Sequence, residues 1–310
     1  MLRVAVTGAT GFLGRRLVPR LMRAGHSVSA LCRRDPEDAW DGRQPHIVRG
    51  ELDDIAALEA LIGETDVVVH VAGVIKARGR RAFFAINDEA TGRVADQVAR
   101  ADRPRLIVVS SLAAREPDLS DYAASKRAGE AAAATALSSG LAVLRPPALY
   151  GPGDRETLAL FAAARRSPVL PLLGPPESRL ALAHVDDVVD AITALVERPL
   201  EGCFALGGAR PEGYSWREIL AAAAAVFGRR PWLVETPRFG VESAAAVSSL
   251  VARVRGRAAI FSPGKARELL HRDWSVSPAE QLPRTHLGHA RTLADGFAQT
   301  VAWYASRGWL

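Results

Sequence analysis

Tyr122 and Lys126 stand four residues apart in Tyr122-Ala123-Ala124-Ser125-Lys126, in a chain with only four tyrosines and three lysines. At this composition the pair would arise by chance about 0.04 times, so the spacing is informative. On a helix, positions i and i+4 share a face, which sets the ammonium beside the phenol. A neighbouring cation lowers the phenol pKa from about 10 toward neutral pH. Tyr122 is then a usable general acid or base for a hydroxyl or carbonyl. Ser110-Ser111 closes a strand-like run shortly before this pair. Hydroxyls at the carboxyl end of a parallel strand face the ligand crevice, and one of these two is expected to bond the substrate oxygen.

A second group lies near the start. Gly8, Gly11 and Gly14 follow the first apolar run directly and open the first helical stretch. Three such offsets should occur by chance about 0.2 times among this many glycines, so position carries the weight. There the missing Cβ atoms let backbone approach a pyrophosphate while a helix N-terminus supplies N–H donors. An NAD site places an acid about 20 residues further on, to bond the ribose 2′-hydroxyl. Here that strand ends in Cys32-Arg33-Arg34. Guanidiniums suit a 2′-phosphate. NADP(H) is therefore expected ahead of NAD(H), with Asp35 close enough to keep NAD(H) open.

Alternating elements must position these residues. Strands are expected at Arg3–Thr7, His26–Cys32, His46–Arg49, Asp66–His70, Leu106–Ser110 and Leu141–Leu144. Helices are expected at Phe12–Ala24, Asp54–Ile62, Phe84–Ala101 and Tyr122–Leu137. That alternation predicts an α/β fold, a Rossmann-type doubly wound parallel sheet. Residues 1–150 would form the dinucleotide-binding domain, with a returning segment near 180–206. Residues 151–310 would form a smaller, mainly helical substrate cap interleaved with it. In this half Pro168–Pro176 reads as loop, an aspartate of His184-Val185-Asp186-Asp187 as the cap of helix Val188–Glu197, and Val241–Val254 as a helix.

Composition excludes several classes. The net charge of +6 comes almost wholly from 37 scattered arginines, with no long cationic run and no basic stretch interleaved with aromatics. No nucleic acid partner is expected. No apolar run approaches the ~18–20 residues that span a bilayer, so no membrane partner is expected either. The first residues lack the pattern of a secretory signal, and a cytoplasmic location is expected. Two cysteines, Cys32 and Cys203, cannot build a disulfide framework; both read as buried small hydrophobes in strand-like segments. No metal site is expected. A small-molecule substrate is the expected partner, and a homodimer is allowed.

Taken together, these motifs resemble the extended short-chain dehydrogenases/reductases, the NAD-dependent epimerase/dehydratase family. The likeness runs through Thr7–Gly14, His70-Val71-Ala72-Gly73, Asn87, Ser111, Tyr122 with Lys126, Arg145-Pro146 and His184–Val188. It implies Tyr122 as acid/base, Lys126 as the group that tunes it and holds the nicotinamide ribose, and Ser111 as the ligand of the substrate oxygen. It also implies that Phe12 and Leu13 lie at the pyrophosphate, where Gly8, Thr10, Gly11 and Gly14 are expected, while the strand tip itself sets Arg33 at the adenosine ribose. Leu52 would lie by the adenine, Val71, Ala72 and Gly73 along the cofactor, and Asn87 and Pro146 toward the nicotinamide.

Two departures narrow the chemistry. Leu112-Ala113 follows Ser111 where sugar-nucleotide 4,6-dehydratases carry an Asp-Glu pair, so elimination of water lacks its proton handlers. The segment between Ser111 and Tyr122 is also shorter than in sugar-nucleotide epimerases. The expectation is an NAD(P)-dependent dehydrogenase or reductase, passing hydride between nicotinamide and a small alcohol or carbonyl. A sugar-nucleotide epimerase is the first alternative, and a non-catalytic dinucleotide sensor or complex subunit the second.

Overall fold

The computed structural model describes all residues except 37, 38, 41, 43, 102, 103, 257 and 260. In chain order the first elements are β1 (Arg3–Thr7), α1 (Gly14–Arg23), β2 (Ser27–Cys32), β3 (His46–Arg49), α2 (Ile55–Ile62) and β4 (Val67–His70). There follow α3 (Arg80–Phe84), a π-helical turn over Ala85–Glu89, α4 (Ala90–Arg100), β5 (Arg105–Val109), α5 (Asp121–Ala136) and β6 (Leu141–Arg145). The later elements are β7 (Ala148–Tyr150), α6 (Leu158–Arg166), β8 (Val169–Leu172), β9 (Arg179–Leu180), β10 (Leu182–His184), α7 (Val185–Glu197) and β11 (Gly202–Ala205). The chain ends with α8 (Trp216–Ala225), β12 (Trp232–Glu235), α9 (Arg238–Val254), α10 (Pro263–Leu270), β13 (Asp273–Trp274) and α11 (Leu293–Ser306).

One compact unit comprises Met1–Arg145, Val189–Phe204 and Arg284–His286. Its seven-stranded sheet has the order β11-β6-β5-β4-β1-β2-β3, and β1 through β6 pair in parallel. Val4–Thr7, Val67–His70 and Leu106–Val109 are each wholly buried, as strands covered on both faces must be. Leu58, Leu61 and Ile62 of α2 pack with Val94 and Val98 of α4 against Val68, Leu106 and Val108. Strand order reverses between β1 and β4, and an open α/β sheet binds its ligand outside the carboxyl ends of strands at such a point.

Two local devices set the register of the chemistry-bearing elements. Ser120 Oγ accepts from the Ala123 amide at 3.0 Å, so α5 starts at Asp121 and Tyr122 falls in its first turn. The π-helical turn then presses the Asn87 carbonyl onto α5 at Gly129, where a Cβ would lie 2.0 Å from that oxygen. Only glycine lets the two backbones meet there.

The second unit comprises Pro146–Val188, Ala205–Pro283 and Leu287–Leu310. Its core holds Tyr150, Phe161, Phe297 and Tyr304, with Phe297 edge-on to both Tyr150 and Phe161 at 5.0 Å between ring centroids. Several expectations are corrected in this half. Pro168–Pro176 contains β8, which pairs in parallel with β12. Helix α7 starts at Val185, so Asp186 and Asp187 lie in its first turn and do not cap it. Asp187 instead binds the Arg291 amide at 3.0 Å and its guanidinium. Cys203 is exposed, whereas Cys32 is buried as expected.

Gly129→Ala should therefore cost about 1–3 kcal/mol, the range for overpacking a close contact. Gly92→Ala, whose Cβ would meet Ala132 at an ordinary 3.5 Å, is the internal control. Thermal unfolding of both variants checks this, with the larger drop in Tm expected for Gly129→Ala.

Candidate functional site

Both sets of sequence-predicted residues lie along the carboxyl ends of the parallel strands in the first unit. Gly8 follows β1 with φ +68°, and a Cβ there would lie 2.6 Å from the Ala72 amide nitrogen that follows β4. At Gly14 a Cβ would strike the Gly8 carbonyl at 2.3 Å. The turn is thus packed backbone on backbone at the head of α1, which suits a pyrophosphate beside the helix N-terminus. Thr10 and Gly11 at its crest are exposed, Phe12 is half-buried, and Leu13 is buried beneath it. Val71 and Ala72 are half-buried and Gly73 exposed on the strand across the reversal.

Arg33 and Arg34 are exposed just past β2. Asp35, which kept an NAD-type reading open, is engaged by the Arg49 guanidinium of β3. Arg33 has no ion pair among the described residues. Leu52 is half-buried after β3.

Lys126 is the most constrained member of the set. Its residue exposure is 7%, and its ammonium donates to the Val109 carbonyl at 2.8 Å. Burial pulls its pKa down to about 8, against the opposing pull of Glu130. A Cβ at Gly73 would come within 3.4 Å of Nζ, so the glycine keeps the ammonium open toward that strand end. Tyr122, one turn earlier, is half-buried with its ring 6.2 Å from that of Phe83 on α3.

The two serines separate cleanly. Ser110 is buried and donates to Glu130 Oε1 at 2.5 Å. Glu130 in turn receives the Arg145 fork, Nε to Oε1 at 2.8 Å and Nη2 to Oε2 at 2.5 Å. Ser110 is a structural tie. Ser111 is half-buried, and its Oγ accepts from the Ala113 amide at 3.2 Å, which leaves its O–H to donate elsewhere. Leu112, Ala113 and Ala114 behind it are all buried, so this stretch carries no titratable side chain.

Asn87 sits in the π-helical turn, a distortion often found at functional sites. The Val74 amide donates to its Oδ1 at 2.9 Å, and its Nδ2 donates to the Val74 carbonyl at 2.9 Å and to Ser125 Oγ at 3.0 Å. Ser125 donates onward to the Tyr122 carbonyl at 2.8 Å. Pro146 opens the second unit as a buried residue.

One network escaped the sequence-based reasoning. His70 is fully buried at the end of β4, and burial together with the nearby Lys126 charge holds its pKa at about 3. Thr91 donates its hydroxyl to the Asn87 carbonyl at 2.8 Å, so it accepts from His70 Nε2 at 3.1 Å. Nδ1 must then accept from the Thr7 hydroxyl at 2.7 Å, and Thr7 Oγ1 faces the Ala72 amide at 3.4 Å. The chain of donors runs one way, from the glycine turn to the π-helical turn. The interruption of the Val67–Val69 run by a histidine was the available signal.

The comparisons with known proteins agree with this fold. The model of the NAD dependent epimerase/dehydratase family matches residues 4–204, and the chain belongs to that family. It is an NAD-dependent enzyme on a Rossmann-type sheet. The ceramide reductase of Caulobacter vibrioides is 46% identical over 99% of this chain and 96% of that protein. The mitochondrial NADH dehydrogenase [ubiquinone] 1 alpha subcomplex subunit 9 of Dictyostelium discoideum is 28% identical over 69% of this chain and 61% of its own length. Among solved structures, MoeE5 in complex with UDP-glucuronic acid and NAD matches with a TM-score of 0.72 and 24% identity, covering 98% of this chain and 99% of that one.

The His70 pKa carries a prediction with a definite sign. Between pH 6.5 and about 3 the unfolded chain binds a proton that the folded site refuses. The stability contribution is complete above pH 6.5 and is lost as pH falls, by at most about 1.4 kcal/mol per unit. His70→Gln should be less stable than the parent at pH 7 and lose less between pH 6.5 and 5. Equal slopes in denaturant titrations across that range would overturn the assignment.

Proposed function

We propose that the chain is a reductase that interconverts a ketone and a secondary alcohol on a long-chain N-acylated amino alcohol, with NADP(H) preferred over NAD(H). The observation that carries the reaction class is the buried Lys126 ammonium one helical turn after Tyr122. The substrate class draws on the likeness to a ceramide reductase over almost the whole length of both chains. A ceramide carries a secondary hydroxyl, the group a tyrosine acid/base of this kind handles, and its oxidised form is a ketone.

A bound nicotinamide dinucleotide would supply the hydride. The turn Gly8–Gly14, the Val71–Gly73 strand end, Leu52 and Asn87 would hold it, with Pro146 toward the nicotinamide and Arg33 pairing the 2′-phosphate. The protein residues do the rest. Ser111 donates its free O–H to the carbonyl oxygen and fixes its position. Tyr122 delivers its phenolic proton to that oxygen as the alkoxide forms, and the Lys126 charge makes the phenol acidic enough to do so. Asn87 and Ser125 hold the first turn of α5, so the phenol and ammonium keep a fixed relation. The buried apolar run Leu112–Ala114 offers no second acid or base for elimination.

Tyr122→Phe should lower turnover by about 10²-fold or more, the scale of a general acid–base contribution, with dinucleotide affinity nearly unchanged. NADPH consumption on the ketone of an N-acyl long-chain amino alcohol is the assay. Interconversion of a UDP-sugar without net NADPH use would favour the epimerase reading instead. For the cofactor, Arg33→Ala should weaken NADPH by roughly tenfold, about 1.4 kcal/mol for a lost charge-assisted contact, and leave NADH unaltered. Tighter binding of NADH by the parent protein would reverse the preference.

A further inference from the structure

The second unit exposes an apolar surface that its own core does not explain. In α9, Phe239, Val247, Leu250 and Val254 are 72%, 62%, 62% and 82% exposed, and Val251 is exposed as well. At 100° per residue these five fall within an arc of about 120°. The only polar side chain inside that arc is Ser243. Val241 and Ala245, the buried residues of the helix, lie on the opposite side, where α9 packs with Ala266, Phe261 and Leu270. The helix is therefore anchored by a narrow face and turns a wider apolar one outward.

Charge borders that face. Arg253 projects from one margin of the arc and Arg255 from the other, and neither has an ion pair among the described residues. The chain from 229 to 255 holds five arginines against two glutamates, and each glutamate is paired, Glu235 with Arg217 and Glu242 with Arg238. Just before the helix, β12 presents Trp232 at 79% exposure and Val234 at 50%, beside the exposed Val169 of β8. Only Thr236 and Pro237 separate this strand face from α9.

We propose that α9 and the outer face of β12 dock the protein on an anionic lipid bilayer. An amphipathic helix with bulky apolar residues in one arc and arginines at its margins lies in the plane of a membrane interface. A tryptophan is suited to the headgroup level. Exposed apolar surface of this extent needs an occupant. A second copy would bring the same margin arginines against these, whereas negatively charged headgroups pair with them, so an anionic lipid surface is the occupant the charge favours. No helix among the described residues is long and apolar enough to cross a membrane, so the contact is peripheral. The expectation of no membrane partner was drawn from the absence of a spanning segment, and an exposed interfacial helix leaves no such mark. The inference goes beyond the reductase reading and does not rest on it, although a long-chain lipid substrate would reside in the same bilayer.

The test is co-flotation of the full chain with vesicles of phosphatidylcholine containing phosphatidylglycerol, compared with phosphatidylcholine alone. Binding should be at least tenfold stronger to the anionic vesicles and should weaken as salt rises. The double variant Phe239→Asp/Leu250→Asp should lose that binding at least tenfold. Its thermal melt and its NADPH affinity should match the parent, which separates lost docking from lost folding. Equal flotation of variant and parent would overturn the proposal, as would no flotation of the parent. A parent that is dimeric by light scattering, becomes monomeric in the variant and ignores vesicles would assign the face to a second copy and overturn it too. Flotation reads docking without turnover, so a chain that floats but reduces no lipid ketone would refute only the reductase reading.

Discussion

Lys126 holds a cation out of water with one carbonyl for company. Taking an ammonium from solvent is costly, and the 2.8 Å bond to the Val109 oxygen offsets only part of that. The remaining cost appears as a pKa lowered to about 8. A buried lysine of this kind persists only where the surrounding fold determines its position strongly. Here β5 provides the carbonyl, α5 provides the lysine, Gly129 lets α5 approach the π-helical turn, and Gly73 keeps a strand end clear of the ammonium. Each of those features is local, but they have one consequence in common: they fix the ammonium in place one helical turn after Tyr122.

The histidine network answers a different requirement. A site assembled from the ends of β1, β4 and β5 and the start of α5 needs its backbone segments locked against one another. His70 does this with two hydrogen bonds of fixed direction, reaching Thr7 at the end of β1 and Thr91 in α4. Since Thr91 spends its proton on the Asn87 carbonyl, the π-helical turn is tied through a neutral imidazole to the glycine turn. The imidazole has to be neutral, because Nδ1 accepts from the Thr7 hydroxyl. Its low pKa follows from the same burial that closes the network. Ser110, Glu130 and Arg145 provide a comparable brace on the other side of α5. The site thus stands between two internally satisfied polar groups.

Much of the first unit was legible in the sequence because its signals are local. Val- and Leu-rich runs gave β1 to β6 within a residue or so, and glycine offsets placed the turn at the head of α1. Asn87 could be located but not understood. The expected helix across 84–101 is in fact α3, a π-helical turn and α4, and no periodicity marks one extra residue in a turn. The His70 network was illegible for a related reason, since its partners come from 63 and 21 residues away. In the second unit, the β8–β12 pairing joins segments about 60 residues apart, and prolines around β8 disguised it as loop. Cys203 was misplaced because β11 lies at the sheet edge, where a strand-like residue need not be buried.

The departures from sugar-nucleotide enzymes act by subtraction. Where dehydratases place an acid and a base after the serine, this chain folds Leu112–Ala114 into a buried 3₁₀ turn. Burying an unpaired carboxylate there would be costly. Under the proposed function, Tyr122 would be the proton donor to the reacting oxygen and Ser111 would orient that oxygen. A single acid/base suffices to change the oxidation level of an alcohol, whereas removing water needs a second proton handler at the neighbouring carbon. Leu112, Ala113 and Ala114 are buried apolar side chains, so the turn packs behind Ser111 and adds no second proton handler there.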